Sequence, residues 1–187
     1  MLAYAFWHWK RPEVAADVYE ARQREFQTAM AEHPPEGFIR GSTARLDGAP
    51  WAAGGGAAYE DWYVIRGMDA LDSLNQAAIS AARQAPHDAV AGLAAGGIAG
   101  LYGLRAGSPI SAPPLATWFR KPPGLGYQAL FDTLRGIVAT APATLWMRQM
   151  TLGPTPEFCL HSTVPVELPA GITGHTLTLE PVWPAAD

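Results

Sequence analysis

The chain has little charge, one cysteine and no hydrophobic run long enough to cross a bilayer, and each shortage excludes something. Charged residues make up 16%, and the 13 basic against 17 acidic side chains are scattered, for a net charge of −4. That distribution lacks the basic stripe of a nucleic-acid binder, so DNA and RNA are not expected partners. The single thiol, Cys159 in the apolar run Phe158-Cys159-Leu160, rules out an intrachain disulfide and a multi-cysteine metal site. It reads as a buried thiol of a cytoplasmic protein. The weakly polar stretch Ala89 to Gly103 is rich in Gly and Ala and falls short of the ~20 residues of a spanning helix. The apolar start, Met1 to Trp9, lacks a positive leader and a small-residue cleavage site, so no signal peptide and no membrane partner are expected.

Motifs of common chemistries are missing too. His8, His33, His87, His161 and His175 are dispersed without helical metal spacing, so no metal site is expected. No serine sits in a Gly-x-Ser-x-Gly frame. Gly96 to Gly103 is glycine-rich, but it leads into a strand rather than joining strand to helix, which fails the phosphate-loop context.

What is present is an apolar composition, 49% hydrophobic with seven Trp, in a regular element pattern. Leu2 to Trp9 is apolar on both alternating faces and predicts a strand covered on two sides. Pro12 opens a helix with Ala15, Val18, Tyr19, Phe26, Ala29 and Met30 at helical spacing, ended by His33-Pro34-Pro35, with Arg22 laid along its edge. Strands Phe38 to Leu46 and Tyr59 to Arg66 follow, then a helix capped by Asp69 with Leu71, Leu74, Ala78 and Ala82, a short helix after Pro86, and a strand Ile98 to Leu104. This β-α-β-β-α-β order is that of a ferredoxin-like unit, 1–107. After a Pro-rich linker, 108–114, the pattern restarts over 115–187. Strand Leu115 to Phe119 and helix Gly126 to Ala141 lead to strands Thr144 to Leu152, Glu157 to Val164 and His175 to Val182.

The two parts show short internal matches. Trp7-His8-Trp9-Lys10-Arg11-Pro12 resembles Trp118-Phe119-Arg120-Lys121-Pro122-Pro123, and Phe38-Ile39-Arg40 with Thr43 resembles Trp146-Met147-Arg148 with Thr151. The second part lacks a second helix, because Pro165 to Gly174 is too short and too rich in Pro and Gly. Glu60 to Arg66 followed by Met68 to Ile79 is similar to the third strand and second helix of small antibiotic-monooxygenase-like domains. On this pattern the chain resembles the dimeric α+β barrel superfamily, with both ferredoxin-like units in one chain. The resemblance implies an α+β fold whose antiparallel sheets form a barrel. The superfamily spans monooxygenases, haem enzymes, cyclases and members without known activity, so the fold leaves the chemistry open.

The candidate site follows from residue types. His8 lies between Trp7 and Trp9 and can serve as a general base near neutral pH, or alternatively hold haem iron, a role His161 could share. Arg40 and Arg148 alternate with large aromatics and each needs a carboxylate, water or a ligand anion; Asp61, with Tyr63 two residues on, is the candidate counter-charge. The expected arrangement is a barrel cavity lined by Trp7, Trp118, Trp62, Tyr63, Phe38 and Arg148. It would hold a small flat apolar or aromatic molecule, with His8, Asp61 and Arg40 catalytic and no cofactor. A packed structural or interaction module is the alternative, and haem binding another. Turnover is left open, as is the choice between monomer and homodimer.

Overall fold

The computed structural model describes residues 1–184; the end of the expected second unit, 185–187, lies outside them. The elements run β1 (Leu2–Lys10), α1 (Ala16–Glu32), β2 (Phe38–Leu46), β3 (Ala58–Ile65), α2 (Ala70–Ala78), α3 (Gln84–Ala91), β4 (Ala94–Ala106), β5 (Leu115–Phe119), α4 (Tyr127–Thr140), β6 (Ala143–Gln149), β7 (Phe158–Ser162), β8 (Gly174–Thr178) and β9 (Glu180–Trp183). All pair in one antiparallel sheet of order β8-β5-β7-β6-β4-β1-β3-β2-β9. The first part contributes β4-β1-β3-β2 and the second β8-β5-β7-β6, the same ferredoxin-like order twice. Between β7 and β8 no helix forms, as the Pro and Gly content of that stretch predicts.

Two seams join the halves. One is β4 with β6; the other is β2 with β9. Strands β8 and β9 stand at opposite ends of the order yet are separated in sequence by Leu179 alone, so this one bent strand closes the sheet into a barrel. The bend is where the expected single strand from His175 to Val182 divides. There Leu179 N–H donates to Pro114 O (2.8 Å), and the chain passes from pairing with β5 to pairing with β2.

Because the barrel has an inside and the helices cover an outside, central strands are buried on both faces; every residue of β3 is buried. Small and large side chains alternate on the inner face. Ala3, Ala5 and Ala116 leave room for Trp7, Trp62, Trp118, Trp146 and Tyr102, all packed in one cluster. Ring centroids lie 5.4 Å apart for Trp7 and Trp118, 5.3 Å for Trp62 and Trp146, and 5.5 Å for Tyr102 and Trp118. The inner space is therefore filled by aromatic rings. On the outside, α1, α2 and α3 cover the first half through Tyr19, Phe26, Met30, Leu74 and Val90, while α4 covers the second through Leu130 and Leu134.

The ladders also test the internal matches. With Trp7 opposite Glu60 and Trp118 opposite Cys159, the first match sets like residues at like places. The second is out of register. Glu60 faces Ala44 and Cys159 faces Trp146, so Ala44 and not Phe38 is the counterpart of Trp146.

Candidate functional site

A cavity of about 630 Å³ opens between the outer face of the first-half sheet and helices α1 to α3. Its floor is built by strand alternation: Tyr4, Phe6 and His8 of β1, Asp61 and Tyr63 of β3, and Ala99 and Leu101 of β4 all point away from the barrel. Helix α1 adds Tyr19, Gln23, Phe26 and Met30, at the i, i+4, i+7, i+11 spacing of one face. Leu71, Leu74 and Val90 supply apolar wall from α2 and α3. Close backbone approach at the floor depends on Gly97, where a Cβ would stand 2.6 Å from the Phe6 ring.

A buried polar chain runs across this floor. Tyr19 Oη lies 2.7 Å from His8 Nδ1, and His8 Nε2 lies 3.4 Å from Asp61 Oδ2. Asp61 also accepts from Tyr63 O–H (2.8 Å) and from Thr43 O–H (2.5 Å). Gln27 Nε2 donates to both of those hydroxyl oxygens at 2.9 Å, which orients their protons toward the carboxylate. The tautomer with its proton on His8 Nε2 directs that proton toward Asp61 and leaves Nδ1 to accept the Tyr19 O–H. His8 also stacks between Phe6 and Tyr59, at centroid distances of 5.1 and 5.6 Å. Burial and the Asp61 charge hold the phenols of Tyr4, Tyr19 and Tyr63 above their ordinary range, so all three are protonated donors at neutral pH.

No family model and no curated protein matches the sequence. Solved structures do match along almost the whole chain. A candidate monooxygenase from Fusobacterium nucleatum subsp. nucleatum is 7% identical, with 97% of this chain and 92% of that one covered and a TM-score of 0.66. One from Lactobacillus acidophilus is 12% identical, with 97% and 94% covered and a TM-score of 0.66. A candidate chlorite dismutase is 10% identical, with 96% and 94% covered and a TM-score of 0.54. The chain has the dimeric α+β barrel fold.

Within this α+β barrel the expected site residues divide by sheet face. His8, Asp61 and Tyr63 come together at the cavity. Trp7, Trp62 and Trp118 do not; they point inward and form the filled core, which corrects the expected cavity inside the barrel. Phe38 packs beside the outer cluster without lining the cavity. Arg40 is not the partner of Asp61. A bulge between Phe38 and Arg40 sets Arg40 opposite Val64, on the barrel side, and Thr43 takes the place opposite Asp61. Arg148 instead braces the loop after β6, donating to the backbone oxygens of Gly153 (3.1 Å) and Thr155. As to the haem alternative, both ring nitrogens of His8 face partners, and His161, whose Nε2 has no hydrogen-bond partner among the described residues, lies on the barrel side against the Trp62 ring and away from the cavity.

Residues that sequence reading passed over hold the network together. Gln23, Gln27 and Thr43 are buried, whereas Val18 and Arg22 of the expected helix stripe face solvent, Arg22 paired with Glu25. Glu60 is a further omission. It is sealed inside the barrel, where Trp7 Nε1–H and Trp62 Nε1–H each donate to one carboxyl oxygen at 2.6 Å. Burial pushes its pKa up to about 7 despite those two donors. His161 Nε2 stands 3.9 Å from it, and burial together with Arg40 pushes the His161 pKa down to about 3.

The second half offers an internal control. Its ladders place Phe119 where the first half has His8, Phe158 for Tyr59, Leu160 for Asp61 and Leu145 for Thr43. At the place of Tyr63 it has Ser162, so the same sheet geometry closes with a single buried hydroxyl at these strand positions.

Proposed function

We propose that this protein binds a small, flat, largely aromatic molecule in the cavity between the first-half sheet and its helices, and converts it by proton abstraction. The observation that carries the reading is the asymmetry between the halves. A buried polar network costs desolvation, and where the first half has His8, Asp61 and Thr43 the second has Phe119, Leu160 and Leu145, with a lone buried hydroxyl, Ser162, at the place of Tyr63. A cavity of this volume with mostly apolar walls and a few converging polar groups is the usual form of a small-molecule site.

In the proposed reaction the bound molecule gives an acidic proton to Tyr19 Oη as the Tyr19 proton passes to His8 Nδ1. The imidazolium so formed is held by the Asp61 carboxylate. The electron-rich anion left behind is the species that reacts with molecular oxygen in cofactor-free oxygenation, or closes a ring on itself. Names of the structural neighbours that specify monooxygenases agree with this class of chemistry. The unit 1–107 is proposed to hold the site, and 115–187 to be its degenerate partner across the linker 108–114. With both seams closed inside one chain, a monomer suffices for the barrel, and the buried thiol of Cys159 suits the cytoplasm.

The test is oxygen uptake with anthrone, a flat tricyclic carbon acid, alongside amide chemical shifts of the cavity residues. Binding at Tyr19, Asp61 and Leu101 with turnover that falls at least about 100-fold in His8→Phe is expected. Shifts that avoid those residues would remove the site, and turnover unchanged in His8→Phe would remove the mechanism.

A further inference from the structure

Gln23 stands apart from the rest of the cavity floor. It is 3% exposed, it lines the cavity, and its Oε1 is buried without a hydrogen-bond partner. Its amide nitrogen lies 3.5 Å from both ring nitrogens of His8. The nitrogen is the end turned toward the His8 ring, which leaves Oε1 as the unsatisfied end. An unpaired buried carbonyl is costly, and position 23 falls on the buried face of α1 between Tyr19 and Phe26, where an apolar side chain would avoid that cost.

We infer that Gln23 Oε1 receives an O–H or N–H donor of the bound molecule, so that the cavity selects phenols, enols and aromatic N–H compounds over analogues lacking the donor. The inference rests on the proposed reading of the cavity and adds the feature that orients the molecule within it. A donor seated on Oε1 lies beside His8, within the relay, because the nitrogen of the same amide stands 3.5 Å from its ring. A site built to hydrogen-bond a group discriminates strongly against a ligand without it, since the protein atom is then left unpaired as well.

The experiment compares binding of 1-naphthol, naphthalene and 1-methoxynaphthalene to the full chain by amide chemical shifts. The wild type should bind 1-naphthol at least about tenfold more tightly than either of the others. In Gln23→Met and Gln23→Leu the three affinities should fall within about twofold of one another, with a melting temperature no lower than that of the wild type. Equal affinities in the wild type, or a preference unchanged in both variants, would overturn this inference alone. A drop in melting temperature with the preference intact would make Gln23 a structural residue. Failure of all three compounds to shift any cavity residue would overturn the cavity reading with it.

Discussion

Asp61 carries the charge at the centre of the floor, and three phenols respond to it. Tyr4, Tyr19 and Tyr63 are all raised above 10.0, with burial the larger cause and the Asp61 charge the next. In Asp61→Asn the three phenols should therefore ionise at lower pH than in the wild type, yet still above 10, because burial persists. An absorbance titration at the phenolate band checks this, and superimposable curves would contradict the placement of the charge. The same shifts bear on stability. A phenol whose folded pKa is raised contributes stability that is complete below pH 10 and is lost as pH rises through the folded value. Asp61→Asn should thus weaken the alkaline dependence of stability above pH 10.

Elements were more legible than their contacts. Strand β1, both helices flanking the first hairpin and the missing second helix follow from alternation, helical spacing and Pro and Gly content. What composition could not reveal was the direction of each strand face. The bulge at Phe38 and Arg40 shifts the pairing by one residue, and that shift sets Arg40 opposite Val64 on the barrel side instead of opposite Tyr63 on the face that holds Asp61. Gln23 and Gln27 were hidden because polar residues at helical core spacing read as surface, although their register with Tyr19, Phe26 and Met30 is the signal that marks them. Gly41 gives a test at this scale. A Cβ there would stand 2.7 Å from Gln27 Oε1, and Gln27 cannot move without losing its bonds to Tyr63 and Thr43. Gly41→Ala should cost roughly 1–2 kcal/mol in denaturant unfolding. Gly136→Ala, inside α4 with nothing within 4 Å, should instead stabilise by up to about 1 kcal/mol. Equal effects of the two would remove the role given to Gly41.

Closing two ferredoxin-like halves on each other traps Glu60 and His161 in the barrel at 3.9 Å, a distance that suits an ion pair. Burial sets them the other way, since an acid raised to about 7 and an imidazole lowered to about 3 are both uncharged near pH 6. Each couples folding to pH with opposite sign. Glu60 contributes stability that is complete below 4.5 and is lost as pH rises through about 7. His161 contributes stability that is complete above 6.5 and is lost as pH falls through about 3. Between pH 4.5 and 6.5 the two slopes offset, so neither is visible in the wild type. Measured as differences from the wild type across that window, Glu60→Gln should gain stability as pH rises and His161→Gln should lose it, each by up to about 1.4 kcal/mol per pH unit. If the barrel held a charged pair instead, both groups would keep the same protonation in the folded and unfolded states through this window. Both differences would then be flat with pH, and denaturant unfolding at four or five pH values is enough to tell these two interiors apart.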